Sequence, residues 1–541
     1  MIIDLVLYNA NIVTMDALQP RAEALAIGNG RVLAVGSNED VFAAAPAAVR
    51  KLNAGGKMVL PGLQDTHLHL QDSGYYNGTM ADLRKASTIL ELQESLRTFG
   101  EANPDGWLFG VGWYTGVFSE DLLDRRALDQ ASGDRPCLIF ASDLHSICLN
   151  SAGCEAVGLV RGTAAPPNGH FSLYPDGTPT GMVHEEGIAW VKARIAQTTD
   201  EDFIKGVQYG QLHAHSHGLT GVIDAWVEER HCRVYGRMAE EQTLTIRVSG
   251  CAKVEPSESV EEAVARLNGL RGKYRYDMFN VHSSKFFLDG VLENRTAAMI
   301  DGYADALGGN APLMFEPSQI NDMFSAFDAE RFQIHVHVIG DLAARAALDG
   351  LEHARRLNGK WPSHHQITHL QCVSPEDIPR LGKLDCVANI QALWARNEPS
   401  VTDVAVPMAG PSLANLMYPF RSILDSGALW TLSSDWGVST LNPFQIMETA
   451  ITRQPVGKSD HAVFLPEQRL TRHEALKGYT LNAATAAWRP HTGRLAPGCF
   501  GDFVVIDQDI LACDTYAIGA TRVLATYVSG HEVYRSPSLD F

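Results

Sequence analysis

Short apolar runs, cut at close intervals by polar and turn residues, open the chain. Residues 5–8, 24–27 and 32–35 are such runs, and Gly30, Gly36 and Asn38 punctuate them. This spacing predicts hairpin-rich β-structure. The same texture returns near the other end, at 503–506 and 523–528, with Gly498, Gly501 and Gly530 at the turns. One small β-sandwich built from residues 1–60 and 490–541 is therefore expected.

The middle of the chain alternates differently. Strand-like runs fall at 63–70, 220–226, 245–249, 281–288, 332–338, 366–370, 387–391 and 429–434. Between most of them lie segments of helical periodicity, such as 258–270 and 342–357. Repeated strand-then-helix units imply parallel strands joined by right-handed crossovers. Eight such units predict an α/β fold, a (β/α)8 TIM-like barrel, over 61–70 and 220–489. Residues 71–219 separate the first two strands and carry strand-like runs of their own at 107–113 and 137–142. That length without structure would be unusual, so an inserted subdomain is expected. Its place after strand one puts it at the C-terminal face, over the active site of such a barrel.

Composition narrows the function classes. The chain has 541 residues, enough for about two to four structural units. Lys and Arg total 44 against 63 Asp and Glu, a net charge of −19. With no basic stripe, a nucleic-acid partner is not expected. Nine scattered cysteines without a C-x-x-C pair fit a reducing, cytoplasmic setting better than a disulfide framework. The first 16 residues lack a basic leader and read as a strand, and no apolar stretch is long enough for a bilayer. A small-molecule substrate is the expected partner.

The candidate chemistry lies at strand ends. Asp65-Thr66-His67-Leu68-His69 follows the largely apolar run 58–63. On a strand, i and i+2 face one way, so both imidazoles can reach one ion. Neutral imidazole suits zinc and related divalent metals. Two other alternating histidine runs act as controls. His213, His215 and His217 precede Gly218 in a segment of helical texture, where i and i+2 diverge; they read as helix-end residues. His335 and His337 share a strand, but only His337 lies near its C-terminal end, and His335 reads as an interior histidine one layer down. His369 and Asp435 each close a strand-like run. Either can also be read as a cap or turn residue. Lys285 sits inside the strand-like run 281–288, where a buried ammonium is costly unless paired or neutralised. An ion pair with Asp289 would satisfy it. So would reaction of the amine with CO2 to a carbamate.

The order H-x-H, Lys, His, His, Asp on strands one, four, five, six and eight resembles the binuclear amidohydrolases. Residues 58–70 (MVLPGLQDTHLHL) are similar to that family's metal-binding start. Residues 285–290 (KFFLDG) and 337–341 (HVIGD) resemble its amidohydrolase-3 branch, which includes N-substituted formamide deformylases. Asp143-Leu144-His145-Ser146 through Asn150 looks like that branch's insert motif, with Leu144 in place of a glycine. Residues 493–507 look like the C-terminal return to the sandwich.

The resemblance implies one divalent metal, zinc for preference, held by His67, His69, carbamylated Lys285 and Asp435. A second would share the carbamate with His337 and His369. It implies Asp435 as the proton carrier and His145 as a catalytic or substrate-binding residue from the insert. Trp113, Trp394 and Trp436 are candidate substrate contacts, with plain packing as the alternative for each. The expected activity is hydrolysis of a non-peptide C–N bond in an amide, N-formyl or cyclic amide substrate, by a homodimer. Alternatives are a mononuclear deaminase or decarboxylase on the same barrel, and a non-catalytic scaffold.

Overall fold

A computed structural model of the chain describes residues 4–44, 50–114, 117–118, 122–141, 146–195 and 198–537. It divides into two compact units, Met1–Leu70 with Gln211–Phe541, and Gln71–Gly210. The helix Asp200–Ser216 runs through the second junction.

The first unit holds an eight-stranded parallel sheet. We number its strands β1 (Leu63–Leu68), β2 (Leu219–Val227), β3 (Arg247–Lys253), β4 (Phe279–Phe287), β5 (Gln333–Val338), β6 (Gln366–His369), β7 (Val387–Ile390) and β8 (Leu429–Leu432). They pair in sequence order. Just past β8, Asp435 N–H donates to the carbonyl of His67 near the end of β1 at 2.8 Å, and His69 N–H donates to the Trp436 carbonyl at 3.0 Å. These bonds bring the outer strands together into a (β/α)8 barrel. Helices such as Glu229–Glu240, Val260–Lys273, Pro317–Ala329 and Asp341–Asn358 fill the crossovers. Their starts are written in the sequence. Ser259 caps Val260–Lys273 in a reciprocal box with Glu262, and Pro317 opens its helix at the first position.

One strand differs from the expected run. β3 was expected at 245–249 and lies at Arg247–Lys253. Its second half, Gly250-Cys251-Ala252, has small side chains and so gives little strand signal. Small size is what the packing demands there: a Cβ on Gly250 would come within 2.9 Å of a Val227 methyl.

The same unit carries two further sheets, the first from the N-terminal strands alone and the second from both ends of the chain. One joins Leu5–Tyr8, Ala24–Gly28, Arg31–Gly36 and Arg50–Asn53. The other joins Asn11–Val13, Arg21–Ala22 and Met58–Pro61 to Phe503–Ile506, Val523–Val528 and His531–Arg535. Leu5, Leu7, Leu25 and Ile27 of the first pack with Ile12, Val59, Phe503 and Val505 of the second in one buried cluster. Met58–Pro61 pairs antiparallel with Phe503–Ile506 immediately before β1, which ties the chain's C-terminal return to the barrel entrance.

The second unit has its own six-stranded mixed sheet, ordered Gly169–Leu173, Pro179–Glu185, Ser146–Leu149, Cys137–Ala141, Leu108–Trp113 and Ala81–Asp82. Leu92, Leu96, Leu128, Ile139 and Trp113 fill one of its cores. Asn150 is used here as a helix cap. Its Oδ1 accepts from Gly153 N–H at 2.7 Å and Cys137 N–H at 2.8 Å.

Candidate metal centre

Six barrel side chains converge at the C-terminal ends of the strands. His67 is in β1 and His69 follows it, Lys285 is in β4, His337 in β5, His369 ends β6, and Asp435 lies three residues beyond β8. The His67 ring centroid is 5.7 Å from His69 and 5.1 Å from His369, and His337 is 4.4 Å from His369. Asp435 Oδ1 lies 3.3 Å from His69 Nε2 and 3.6 Å from His67 Nε2. Ligand atoms of His67, His369 and Asp435 all fall within 4.8 Å of one another. Two of these residues hold unusual backbone. His369 has φ +76° and Asp435 φ +52°, the left-handed region that side-chain-bearing residues seldom occupy. Each strand ends in a turn that costs energy and aims its side chain at the cluster.

Electrostatics separates the members. Burial pushes His67 and His337 well below the ordinary histidine range and His369 down to about 4, so these imidazoles are neutral donors. Burial works to raise the Asp435 carboxyl, but the adjacent His69 and the electrostatic influence of His369 and Lys285 overcome it and hold it at about 2. Burial also opposes protonation of His69, and there Asp435 and Asp224 prevail and raise it. Lys285 is fully buried, and burial pushes its amine down to about 8.

These residues suit a divalent cation. Lys285 Nζ is buried without a hydrogen-bond partner, a costly state unless something else completes it, and Asp435 Oδ1 faces His69 Nε2 at 3.3 Å and His67 Nε2 at 3.6 Å. Three neutral imidazoles and an ionised carboxylate form a donor set that zinc and its neighbours accept. Ring nitrogens not needed for an ion are engaged. His337 Nε2 donates to the Gly290 carbonyl at 3.0 Å, which leaves Nδ1 as the free lone pair. His67 Nδ1 lies 2.8 Å from His335 Nε2, which leaves Nε2 on the Asp435 side.

The Amidohydrolase family's profile matches residues 50–534, almost the whole chain. The chain belongs to the amidohydrolase family. The amidohydrolase resembles LONG AFTER FAR-RED 3 of Arabidopsis thaliana, with 27% identity over 98% of this chain and 91% of that one. It is 26% identical to an N-substituted formamide deformylase of Arthrobacter pascens, over 97% of each chain. Among solved structures, an uncharacterized metal-dependent hydrolase from Pyrococcus horikoshii superposes with a TM-score of 0.75 at 23% identity, covering 94% of this chain and 99% of that one. Membership of this family makes the chain a hydrolase acting on C–N bonds.

Other residues singled out in the sequence fall variously. The ion pair between Lys285 and Asp289 does not form. Asp289 instead accepts backbone N–H groups of Gly340 at 2.7 Å, Ile339 at 3.0 Å and Ala298 at 3.1 Å. His335 is more than interior filling, since it grips His67 and lies 3.0 Å from Thr368 Oγ1. His213 and His215 end a helix; His215 bonds the Leu219 carbonyl and Thr245, each at 2.9 Å, away from the cluster. Trp394 stacks on His369, with ring centroids 5.5 Å apart and planes at 18°. Trp436 is buried against His213 at 5.3 Å, and Trp113 is buried in the core of the second unit. His145 lies outside the described residues. Two rim residues escaped the sequence reading. Trp226 lies 6.5 Å edge-on to His69, and Phe287 lies 5.2 Å from His337. The signal for both was available: each sits at the C-terminal end of a barrel strand.

Proposed function

We propose that the amidohydrolase cleaves an amide, N-formyl or cyclic amide bond of a small molecule, with zinc held by His67, His69, Lys285, His337, His369 and Asp435. The observation that carries this is Lys285 Nζ, fully buried without a hydrogen-bond partner, beside the Asp435 carboxylate and three neutral imidazoles. Lys285 serves as its carbamate: the neutral amine adds to CO2, a C–N bond forms, and one proton leaves to solvent. This turns a buried cation into an anionic ligand and removes the cost of burying charge. A bound divalent ion supplies Lewis acidity, which polarises the substrate carbonyl and eases deprotonation of water near neutral pH.

The protein's own groups do the rest. Asp435, ionised at any physiological pH, takes the proton of the attacking water and passes it to the leaving nitrogen. Trp226, Phe287 and Trp394 border the cluster with aromatic surface and orient an apolar portion of the substrate. The nine cysteines form no disulfide among the described residues and eight of them are buried, which suits a reducing cytoplasm. No helix among the described residues is long and apolar enough to cross a membrane. A homodimer is the assembly that the family resemblance suggests.

The test is a metal analysis joined to a substrate panel of N-formyl amines, N-acyl amines and cyclic amides. One to two zinc equivalents and turnover of one class are expected, with both lost in His67→Ala and His369→Ala and metal retained in His215→Ala. Metal-replete protein that deaminates or decarboxylates, but hydrolyses none of the panel, would overturn the proposed bond. A wild type that binds no divalent metal would overturn the site.

A further inference from the structure

We propose that Gln391 is a positioning residue for this centre: it fixes the proton of His369 on Nδ1 before any metal arrives and so presents Nε2 as the ligand atom. The inference rests on the reading of the cluster as a divalent-metal site, but the proton position can be tested without metal.

The starting contact is His369 Nδ1 to Gln391 Oε1, 2.8 Å. Alone it is ambiguous, since a histidine nitrogen can donate or accept and an amide can be turned end for end. What resolves it is the network beneath. Gln391 Nε2 lies 2.6 Å from Ser433 Oγ and 3.1 Å from Asn389 Oδ1. Asn389 Nδ2 donates to the Thr66 carbonyl at 3.0 Å and to Gln366 Oε1 at 2.9 Å. Gln366 Nε2 donates to Gln333 Oε1 at 2.9 Å. Gln333 Nε2 ends the chain on two backbone carbonyls, Ala486 and His364, each at 2.8 Å.

Backbone carbonyls can only accept, so the direction is set from the bottom upward. Gln333 must turn its NH2 to Ala486 and His364, which turns its oxygen to Gln366. Gln366 must answer with its NH2, leaving its oxygen for Asn389. The Thr66 carbonyl independently demands the NH2 of Asn389 on that side. Asn389 then offers oxygen to Gln391, Gln391 answers with NH2, and its oxygen is left facing His369. An amide oxygen cannot donate, so His369 Nδ1 carries the hydrogen and the lone pair of the neutral ring is on Nε2.

Nothing in the network can relax into water. Gln333, Gln366, Asn389 and Ser433 are fully buried, and Gln391 and His369 are 2% exposed. Reversing any one amide would set oxygen against oxygen or NH2 against NH2 at its amide or backbone-carbonyl neighbour, at the cost of buried unpaired groups. An apolar strand interior would have filled the same space with less risk. A chain of amides that terminates on one nitrogen of one ligand has a use that filling does not explain.

Two measurements decide the matter. The first is neutron diffraction from the metal-stripped wild type after exchange into D2O. Deuterium on His369 Nδ1 and none on Nε2 is expected; deuterium on Nε2 overturns the proposal, whether or not the protein proves to bind metal. The second is metal affinity by chelator competition, with the visible spectrum of the cobalt-substituted protein. Gln391→Met keeps the length and removes the acceptor, and should weaken binding by about 10- to 100-fold, the usual cost of losing an outer-shell partner, and alter the cobalt spectrum. Gln391→Glu keeps an acceptor for His369 but sets its second oxygen against Asn389 Oδ1, so it should bind metal more tightly than Gln391→Met while lowering the thermal midpoint. Equal affinity in all three proteins, with only thermal midpoints lowered, would reduce Gln391 to a packing role and overturn the proposal.

Discussion

Lys285 shows most plainly how one residue's chemistry follows from its surroundings. Its amine is fully buried, pushed down to about 8 by burial, and has no hydrogen-bond partner; Nζ lies 4.6 Å from the centre of the Phe287 ring. As a carbamate it would be a ligand, and as a bare ammonium only a burden. Lys285→Ala should therefore lose metal and cut turnover by more than the roughly 100-fold that an outer-shell loss costs. Acetate or propionate, entering the cavity, should restore part of both. Lys285→Arg should not be rescued, because guanidinium fills the space and stays cationic. Steady-state assays with added carboxylates check this, and an active Lys285→Arg enzyme would contradict it. His215 offers a residue-scale test away from the centre. Burial pushes its imidazole down to about 4 from an ordinary 6.5. The unfolded chain then binds a proton that the folded chain refuses between those values. Its contribution to stability is full above pH 6.5 and lost as pH falls toward 4, up to about 3 kcal/mol. Denaturant midpoints at pH 7 and 4.5 should converge more closely in His215→Gln than in wild type.

At the scale of elements, the barrel strands were legible because parallel strands covered on both faces read as near-continuous apolar runs. The ligands were legible because they end those runs. His67 and His69 were separable from His213 and His215 by the period of the element that carries them, strand against helix. What stayed hidden has no pattern of its own. Asn389 and Gln391 look like any polar residues at the end of a short run, and only the folded barrel brings Gln333 and Gln366 beneath them. The role of Asp289 was equally hidden, because its partners are backbone groups. Its carboxylate holds the N–H groups of Ala298, Ile339 and Gly340 and so ties the end of β5 to the segment after β4. The packing is tight there: a Cβ on Gly340 would lie 2.0 Å from the Ala298 carbonyl oxygen. Asp289→Ala would strand three buried N–H donors. At about 1–3 kcal/mol for each unsatisfied group, stability should fall by several kcal/mol. His337, just before that tie, should lose its aim, so metal affinity should fall with the thermal midpoint. Asp289→Asn, which keeps one acceptor oxygen, should lie between; a wild-type midpoint in Asp289→Ala would dismiss the clamp.

At the scale of the whole first unit, the question is what joins the barrel to the two-sheet layer made by the chain ends. A buried ion pair does part of it. Arg247, at the start of β3, donates through Nε to Asp502 Oδ2 at 2.9 Å and through Nη2 to Oδ1 at 3.2 Å, and both side chains are at most 3% exposed. Asp502 also takes the Ser529 N–H at 2.7 Å, and its own carbonyl accepts from Gly62 N–H at 2.8 Å, one residue before β1. Arg247 adds a bond to Ser529 Oγ at 2.6 Å and lies 4.0 Å over the Phe500 ring. One contact thus fastens β3, the approach to β1 and the C-terminal strands at a single point. Its energetics should be lopsided. The pair as a whole is worth little against an apolar replacement, because desolvation of both charges offsets their attraction. Removing one member leaves the other buried and alone, which costs about 3–5 kcal/mol. Asp502→Ala should therefore lower the denaturation midpoint sharply, while Arg247→Met with Asp502→Leu should cost much less than the two single changes added together. Metal content at the far ends of the strands should be unchanged in whatever fraction remains folded. A strictly additive double-mutant cycle would mean that water reaches this junction and that the sandwich is held to the barrel by its apolar contacts alone.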